Sequence, residues 1–239
     1  MEFKLYDGIM VISGQLKKFF LTDLSLKIKI TEVPILIDSS KGLLPDNNKI
    51  DKIKSNLVYT GSLSDQKDGV ITIIKAFSEI LKKYPDINLI MTGDINQSDV
   101  KEKILSLIDK LHLKENLKLA GYVSKAELNE ITSTSIALLL AKPENRQNQY
   151  NMATKVGEYL LTGRPAVISS VDPVIGYLEH RKNAFITIPE ENKIIEEVEF
   201  ILNNPDEADA IGLAGKESAI NLFDYKKHAL RINNFFKEL

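Results

Sequence analysis

The residues with the clearest chemical potential in this sequence form a glycine-rich turn at residues 61–69, GSLSDQKDG. Its two glycines and its small polar residues allow the backbone to approach a ligand closely, and Lys67 adds a positive charge. A helix that begins at this turn would direct free N–H groups toward the same point, which favours a phosphate. A capped turn with an exposed lysine would have the same composition, so both interpretations stay open. The turn lacks the Gly-Lys-Ser/Thr ending of a P-loop and the Gly-x-Gly-x-x-Gly pattern of dinucleotide-binding folds.

A second candidate group lies on a predicted helix over residues 152–161, MATKVGEYLL, which follows the polar segment 142–151. Lys155 and Glu158 are three residues apart, so they share one face near the start of this helix. One interpretation is an exposed ion pair that stabilises the helix by about 0.2–0.5 kcal/mol. The other is a binding pair, in which the lysine neutralises a phosphate and the carboxylate accepts hydrogen bonds from two ribose hydroxyls. Spacing alone does not decide between them.

Composition excludes several other kinds of chemistry. The 239 residues contain no cysteine, which excludes disulfides, cysteine-ligated metals and thiol catalysis, and their three histidines lack the spacing of zinc ligands. The 31 basic and 33 acidic residues give a net charge of −2, which argues against a protein that coats nucleic acid. No apolar run reaches the roughly 18 residues of a membrane span. We therefore expect a cytoplasmic protein, and peripheral attachment at the inner membrane face stays open.

The alternation of short apolar runs with helical patterns predicts the elements that would position these residues. The predicted strands are nearly continuous in apolar residues, as is typical of strands covered on both faces: residues 57–61, 87–93, 117–122, 136–141, 165–170 and 184–188. Strands that alternate with helices indicate an α/β fold with a doubly wound parallel sheet of the Rossmann-like kind. Ligands bind such sheets outside the carboxyl ends of the strands, where both candidate groups lie. The last fifty residues predict helices with no strand between them, over 192–203, 205–223 and 224–239.

The order of four motifs resembles a known family. The G-S-L-x-x-x-K-D-G turn is followed by Gly93-Asp94, by Gly-Tyr-Val at residues 121–123, and by K-x-x-E-Y-L-x-x-G-x-P-x-V over residues 155–167. This order is similar to that in the donor-nucleotide domain of GT-B glycosyltransferases of the GT4-like, or group 1, family. The resemblance covers about residues 57–239. It implies the fold of the GT-B C-terminal domain and the retaining transfer of a sugar, as in polysaccharide biosynthesis.

The beginning of the chain resembles a different part of the same family. The run GIMVIS, a short helix and a P-x-x-x-D segment at residues 34–38 look like the end of the N-terminal, acceptor-binding domain. We therefore expect a remnant of that domain over residues 1–38, a linker over 39–56 and a nucleotide-sugar binding domain over 57–239. The missing N-terminal domain would be a partner of this chain. A remnant too small to bury its own apolar faces exposes a strand edge, which is expected to invite self-association.

The resemblance also implies the ligands and the residues of the site. The donor would be a nucleoside-diphosphate sugar and the acceptor a carbohydrate or a lipid-linked molecule, and neither a cofactor nor a metal is expected. Lys67 would contact the diphosphate and Glu158 the ribose, while the catalytic residues stay unassigned. Backbone groups near Tyr122 and Val123 would meet the base. The full predicted donor site consists of Gly61, Ser62, Lys67, Tyr122, Val123, Arg146, Thr154, Lys155 and Glu158.

Two positions depart from the pattern of the family. Ser62 stands where the family often has an arginine, and Tyr150 stands where many members have a second glutamate for the donor sugar. The nearest acidic side chain is Glu144, and the nearest spare cation is Arg146. The resemblance thus predicts an enzyme, a hexosyltransferase-like group 1 glycosyltransferase, whose isolated chain is weakly active or inactive. The alternatives are a non-catalytic nucleotide-binding or scaffold module and a sugar-nucleotide epimerase of the same fold.

Overall fold

A computed structural model describes residues 5–41 and 55–239, apart from the side chain of residue 41. The strands in these residues are β1 (Gly8–Val11), β2 (Lys29–Glu32), β3 (Asn56–Tyr59), β4 (Asn88–Thr92), β5 (Leu117–Gly121), β6 (Ala137–Leu140), β7 (Ala166–Ser169) and β8 (Phe185–Thr187). The α-helices are α1 (Gly14–Lys18), α2 (Asp65–Asp68), α3 (Val70–Lys83), α4 (Lys101–Lys110), α5 (Lys125–Ser133), α6 (Arg146–Tyr150), α7 (Thr154–Leu161), α8 (Glu191–Asn203), α9 (Pro205–Phe223) and α10 (Tyr225–Lys237).

The last six strands form one parallel sheet in the order β5-β4-β3-β6-β7-β8. On one side of β3, Leu57 pairs with Leu89 of β4, and on the other side it pairs with Ala137 of β6. All six predicted strands are confirmed, with ends within two residues of the apolar runs, and so is the doubly wound α/β fold. The chain moves outward from β3 to β5 and then returns to β6, so the strand order reverses between β3 and β6.

Helices cover both faces of this sheet and create two cores. Leu57 and Tyr59 of β3 lie in one core with residues of α3 and α8, whereas Val58 lies in the other core with residues of α7 and α9. Successive side chains of a strand point to opposite faces, so a strand between two cores must be apolar throughout. This burial explains why the strand sequences are continuous apolar runs.

The end of the chain consists of α8, α9 and α10, with no strand between them in the described residues, as the sequence predicts. Helix α9 begins at Pro205, which suits a first helical position because the N–H that proline lacks has no partner there. In the described part of the chain, no helix is both long enough and apolar enough to cross a membrane.

The first two strands form a separate parallel pair, in which Ile9 of β1 lies beside Ile30 of β2. Helix α1 and the π-helix Phe19–Asp23 connect them, and we call residues 5–32 the front unit. The next segment joins the main domain, because Ile37 is buried and its N–H donates to the carbonyl of Phe223 over 2.9 Å. The front unit leaves four apolar or aromatic side chains exposed: Leu5, Tyr6, Met10 and Leu21. The predicted linker lies largely outside the described residues, and self-association stays a prediction.

Candidate functional site

A cleft of about 440 Å³ opens at the carboxyl ends of β3, β4 and β5, beside the first turn of α7. It lies next to the point where the strand order reverses, which is where ligands bind doubly wound sheets. The cleft is lined by Thr60, Gly61, Ser62, Thr92, Gly93, Asp94, Gln97, Gly121, Tyr122, Val123, Leu128, Thr154, Lys155 and Glu158.

The structure brings most of the predicted donor site together in this cleft. Two of the predicted residues follow β3, two follow β5 and three lie in the first turns of α7. The fold therefore unites segments that are far apart in the sequence because parallel strands place their carboxyl ends at one edge of the sheet. The predicted residues that line the cleft are Gly61, Ser62, Tyr122, Val123, Thr154, Lys155 and Glu158.

Two predicted residues, Lys67 and Arg146, do not line the cleft. Lys67 is exposed on α2, where its N–H donates to the hydroxyl of the N-cap residue Ser64 over 3.4 Å. Residues 61–69 thus contain the capped turn with an exposed lysine, one of the two interpretations that their composition allowed. The Arg146 guanidinium lies 5.7 Å from the centre of the Phe19 ring in the front unit. The same ring lies 5.3 Å from the ring of Tyr150, so aromatic packing occupies the position where the family pattern has a glutamate.

The helix that follows the glycine-rich turn differs from the expected single helix. Helix α2 ends at Asp68, Gly69 adopts a left-handed conformation with φ 67°, and α3 begins separately at Val70. In the first turn of α3, the N–H of Ile71 donates to the carboxylate of Asp65 over 3.0 Å. Asp65 thus caps one N–H of α3, and the first turn of this helix does not line the cleft. The helix whose first turn lines the cleft is α7, as the sequence predicts.

Glycines bring the backbone of neighbouring strands into direct contact at the floor of the cleft. Gly93 follows β4 with φ 108°, and a Cβ added there would overlap the carbonyl oxygen of Gly61. The N–H of Gly93 donates to the carbonyl of Gly121 over 2.8 Å. Only glycine combines this φ with so close an approach, so the floor presents main chain rather than side chains.

The ammonium of Lys155 occupies the base of the cleft beside Gly61. It lies 2.6 Å from the carboxylate of Asp68 and 3.4 Å from the hydroxyl of Tyr59. The Tyr59 hydroxyl donates to the same Asp68 oxygen over 2.7 Å. Only 16% of the Lys155 side chain is exposed, so the interpretation of Lys155 as half of an exposed pair with Glu158 is wrong. Asp68 was missed by the sequence analysis, and its only signal was an acidic residue inside the K-D-G motif.

Burial dominates the protonation of this cluster. Burial lowers the pKa of Lys155, and the neighbouring charge of Asp68 opposes that effect. Burial also raises the pKa of Tyr59 far above its usual range, and the Asp68 charge raises it further. The Tyr59 hydroxyl therefore stays protonated and donates a hydrogen bond to Asp68, whose carboxylate accepts from both Tyr59 and Lys155.

The carboxylate of Glu158 is exposed on α7 at the mouth of the cleft. Its neighbour Tyr159 is buried, and its hydroxyl accepts a hydrogen bond of 2.8 Å from the N–H of Thr60. This bond ties α7 to the end of β3 and thereby fixes where Glu158 projects. Among the described residues, no hydrogen bond or ion pair holds the Glu158 carboxylate. A second cavity of about 350 Å³ begins on its other side, toward α5 and Ile37.

A buried ion pair between Lys142 and Asp172 supports the start of α7, and the sequence analysis missed it. The two charged groups lie 2.9 Å apart after β6 and β7, and both side chains are almost fully excluded from solvent. The same Asp172 oxygen accepts the N–H of Ala153, the residue before α7, over 3.0 Å. The pair therefore fixes the point at which α7 enters the cleft.

This chain is similar to known proteins in sequence and in fold. The family model described as glycosyl transferases group 1 matches residues 41–218. An uncharacterised glycosyltransferase of Methanocaldococcus jannaschii is 32% identical over 127 residues, which are 50% of this chain and 30% of that protein.

Several solved structures have a similar fold at low sequence identity. HepE of Anabaena, solved in complex with UDP, has a TM-score of 0.83 and 17% identity, covering 98% of this chain and 64% of that chain. A glycosyltransferase from Rickettsia africae has a TM-score of 0.84 and 15% identity, covering 97% and 63%. Sucrose-phosphate synthase from Thermosynechococcus elongatus has a TM-score of 0.80 and 17% identity, covering 97% and 58%. This chain thus spans less than two thirds of the length of each of these proteins.

Proposed function

Because this chain belongs to the group 1 glycosyltransferase family, we propose that its cleft binds the nucleoside diphosphate of a sugar-nucleotide donor. One observation supports the proposal most directly. Lys155 and Glu158 both line the cleft, one helical turn apart, next to the glycine floor formed by Gly61 and Gly93. A cation beside exposed main chain suits phosphate, and a free carboxylate one turn further along suits the vicinal hydroxyls of ribose.

The proposal assigns a part of the nucleotide to each side of the cleft. The diphosphate lies over the glycine floor, near Ser62 and the first turn of α7. The Glu158 carboxylate accepts hydrogen bonds from the ribose. The base lies against residues that follow β5, where Tyr122 is 76% exposed and offers an aromatic face.

In a transfer reaction, the bond between the anomeric carbon and the diphosphate oxygen breaks, and negative charge develops on the leaving diphosphate. Lys155 and the N–H groups of the first turn of α7 stabilise that charge. We propose that this chain provides donor binding in a retaining transfer to a carbohydrate or lipid-linked acceptor. Acceptor binding is assigned to the portion of the relatives that this chain does not span.

A second candidate function is a nucleotide-binding module without transfer activity. The arrangement of Tyr150 favours it, because the Phe19 ring and the hydroxyl of Ser13 hold this residue where a sugar-binding glutamate would stand. In that case the cleft would bind the nucleotide, and the sugar would add no affinity.

Calorimetric titration tests both candidates. We would titrate the chain with UDP, GDP and ADP and with a hexose derivative of each. Binding of one nucleoside diphosphate, tightened by its sugar, supports the donor site of a transferase. Binding of the nucleotide without an effect of the sugar supports the module. The absence of binding at millimolar nucleotide would overturn the proposal, because a dissociation constant of about 1 mM requires only about 4 kcal/mol of binding free energy.

A further inference from the structure

The cleft has an unusual charge for a diphosphate site. Of the described residues that line it, Lys155 is the only cation, whereas Asp94 and Glu158 are acidic. The charge of Lys155 is already matched by Asp68 at 2.6 Å. The lining therefore offers an incoming anion no uncompensated positive side chain, and a phosphate must gain the Lys155 ammonium at the expense of Asp68.

Contacts other than the Lys155 ion pair fix the position of the Asp68 carboxylate. Its carboxylate is buried, and it holds a second hydrogen bond of 2.7 Å from the Tyr59 hydroxyl. The next residue, Gly69, packs so closely on the carbonyl of Ala141 that a Cβ there would overlap it, so the end of α2 has no room to shift. The ammonium is the mobile member, because it ends a flexible four-carbon chain that already lines the cleft.

We propose that Asp68 is a specificity-determining counter-ion of the cleft, which holds Lys155 when the cleft is empty and competes with the ligand's phosphate for its ammonium. This inference rests on the proposed function. On binding, the Lys155 ion pair passes from Asp68 to the phosphate, and the Tyr59 hydroxyl continues to hold Asp68. The competition penalises ligands that offer little charge at this point, so it favours nucleoside diphosphates over nucleosides and neutral molecules.

Competition between Asp68 and the phosphate can be distinguished from a supporting role of Asp68, because the two predict opposite effects of Asp68→Asn on nucleotide affinity. If Asp68 only orients Lys155 for the ligand, Asp68→Asn weakens phosphate binding. If Asp68 competes, Asp68→Asn tightens binding of the nucleoside diphosphate, by roughly fivefold or more for two groups in direct contact. Tyr59→Phe removes the second donor of Asp68 and strengthens its hold on Lys155, so it weakens binding roughly threefold or more.

The test is a calorimetric titration of UDP, GDP and ADP into the parent chain and three variants. Asp65→Asn is the matched control, because it removes the same charge from α2 at a carboxylate that accepts from Ile71 rather than from Lys155. We expect tighter binding by Asp68→Asn, weaker binding by Tyr59→Phe and less than about a twofold change for Asp65→Asn, since charges that share no partner are screened. Circular dichroism and thermal melting confirm that each variant is folded.

Each outcome has a defined meaning. A parent that binds a nucleoside diphosphate and an Asp68→Asn variant that binds it equally or more weakly would overturn the inference and leave the proposed function standing. If Asp68→Asn does not fold, tighter nucleotide binding by Tyr59→Phe would likewise overturn the inference and leave the proposed function standing. A failure of the parent to bind any of the three nucleotides at millimolar concentration would overturn the proposed function and the inference together.

Discussion

Lys142 and Asp172 form an ion pair of 2.9 Å in which the lysine side chain is 1% exposed and the aspartate side chain is not exposed at all. Asp172 also accepts the N–H groups of Ala153 and Val174, each over 3.0 Å. The pair thus connects the ends of β6 and β7 to the first residue before α7, the helix of Lys155 and Glu158. A charged group in such surroundings depends on its partner, because the interior solvates it poorly.

Removing one partner should therefore be costly. We expect Lys142→Met to lower the free energy of unfolding by about 3–5 kcal/mol, because it leaves the Asp172 carboxylate buried and uncompensated. Denaturation with urea, followed by circular dichroism, measures this change. The double variant Lys142→Met/Asp172→Asn should recover part of the loss, because the remaining group is then neutral.

An exposed ion pair with the same nitrogen–oxygen distance serves as the control for Lys142. Lys182 and Glu179 also lie 2.9 Å apart, but more than half of each side chain is exposed. Lys182→Met should change the free energy of unfolding by less than about 1 kcal/mol, since exposed pairs contribute little. Equal effects of Lys142→Met and Lys182→Met would show that burial of the first pair has no energetic consequence.

The sequence predicted the sheet because burial on both faces leaves a direct mark on composition. β3 shows this well: Leu57, Val58 and Tyr59 are all fully buried, and all are apolar or aromatic. The cleft was predictable for the same reason, since the carboxyl ends of such strands meet at one edge.

The partners of the charged residues were not predictable, because they depend on tertiary contacts between distant segments. Asp68 lies 87 residues from Lys155 and Asp172 lies 30 residues from Lys142. Each aspartate directly precedes a glycine or a proline, a pattern that in a sequence indicates a solvated turn. Arg146 was expected at the phosphate, but its side chain stacks on Phe19 of the front unit instead.

The glycine floor leads to a second prediction, on stability. Gly93→Ala places a methyl group against the carbonyl oxygen of Gly61 at a φ of 108°, so both steric overlap and backbone strain oppose it. We expect it to lower the free energy of unfolding by about 3 kcal/mol or more. Gly121→Ala is the control, because its φ is 67° but its added Cβ has nothing within 4 Å. Gly121→Ala should lower the free energy of unfolding only by the left-handed strain, about 1–2 kcal/mol. Urea denaturation of both variants measures the difference, and equal losses would contradict the close contact at Gly93.

Three tyrosines should resist ionisation at alkaline pH. Burial raises the pKa of Tyr59, Tyr159 and Tyr177 above the ordinary value, and Asp68 and Glu32 add to the effect at Tyr59 and Tyr177 respectively. In the folded chain these phenols keep protons that the unfolded chain loses near pH 10, so their contribution to stability is complete below about pH 10 and declines above it. Lys155 changes the stability in the opposite direction. Its pKa is lowered in the folded chain, so the unfolded chain binds the proton more readily, and the contribution of this residue to stability increases as the pH rises.

Tyrosinate absorbance measures this prediction. In denaturant, all 8 tyrosines should ionise in one step near the ordinary phenol value, about pH 10. In the native chain, the buried phenols should ionise only with unfolding, which circular dichroism would report at the same pH. Complete ionisation of all tyrosines in the native chain before any loss of structure would contradict the assigned burial.

Lys67 should influence nucleotide binding only at a distance, because it is exposed on α2 and does not line the cleft. We expect Lys67→Met to weaken UDP binding by about 0.2–1 kcal/mol at low salt, the scale of an exposed charge interaction. The effect should vanish near 1 M salt, where the Debye length is about 3 Å. Calorimetry at both salt concentrations measures it. A large loss that persists at high salt would instead place Lys67 in direct contact with the diphosphate.

Glu158 is the residue on which the ribose assignment depends. A carboxylate near a diphosphate is electrostatically unfavourable, so its place at the mouth of the cleft requires a compensating contact. Glu158→Gln preserves the shape of the side chain, removes its charge and turns one acceptor into a donor. We expect it to weaken nucleoside diphosphate binding by about 1.5–3 kcal/mol, the usual scale for hydrogen bonds to a charged group. The fold should be unchanged, because the side chain is exposed and its replacement leaves no cavity.

The Glu158 effect should persist at high salt, since a hydrogen bond at contact distance is screened far less than a long-range interaction. Glu144→Gln is the matched control: Glu144 is also exposed, but it lies beside Tyr150 in a separate cavity, so nucleotide affinity should stay within about twofold of the parent. A 2′,3′-dideoxy nucleotide gives an independent measurement: it lacks both hydroxyls but keeps the repulsion from the carboxylate, so it should bind Glu158→Gln at least as tightly as the parent. If Glu158→Gln binds UDP, GDP and ADP as well as the parent does, the carboxylate does not contact ribose, and the base, ribose and diphosphate positions proposed for this cleft must be reassigned.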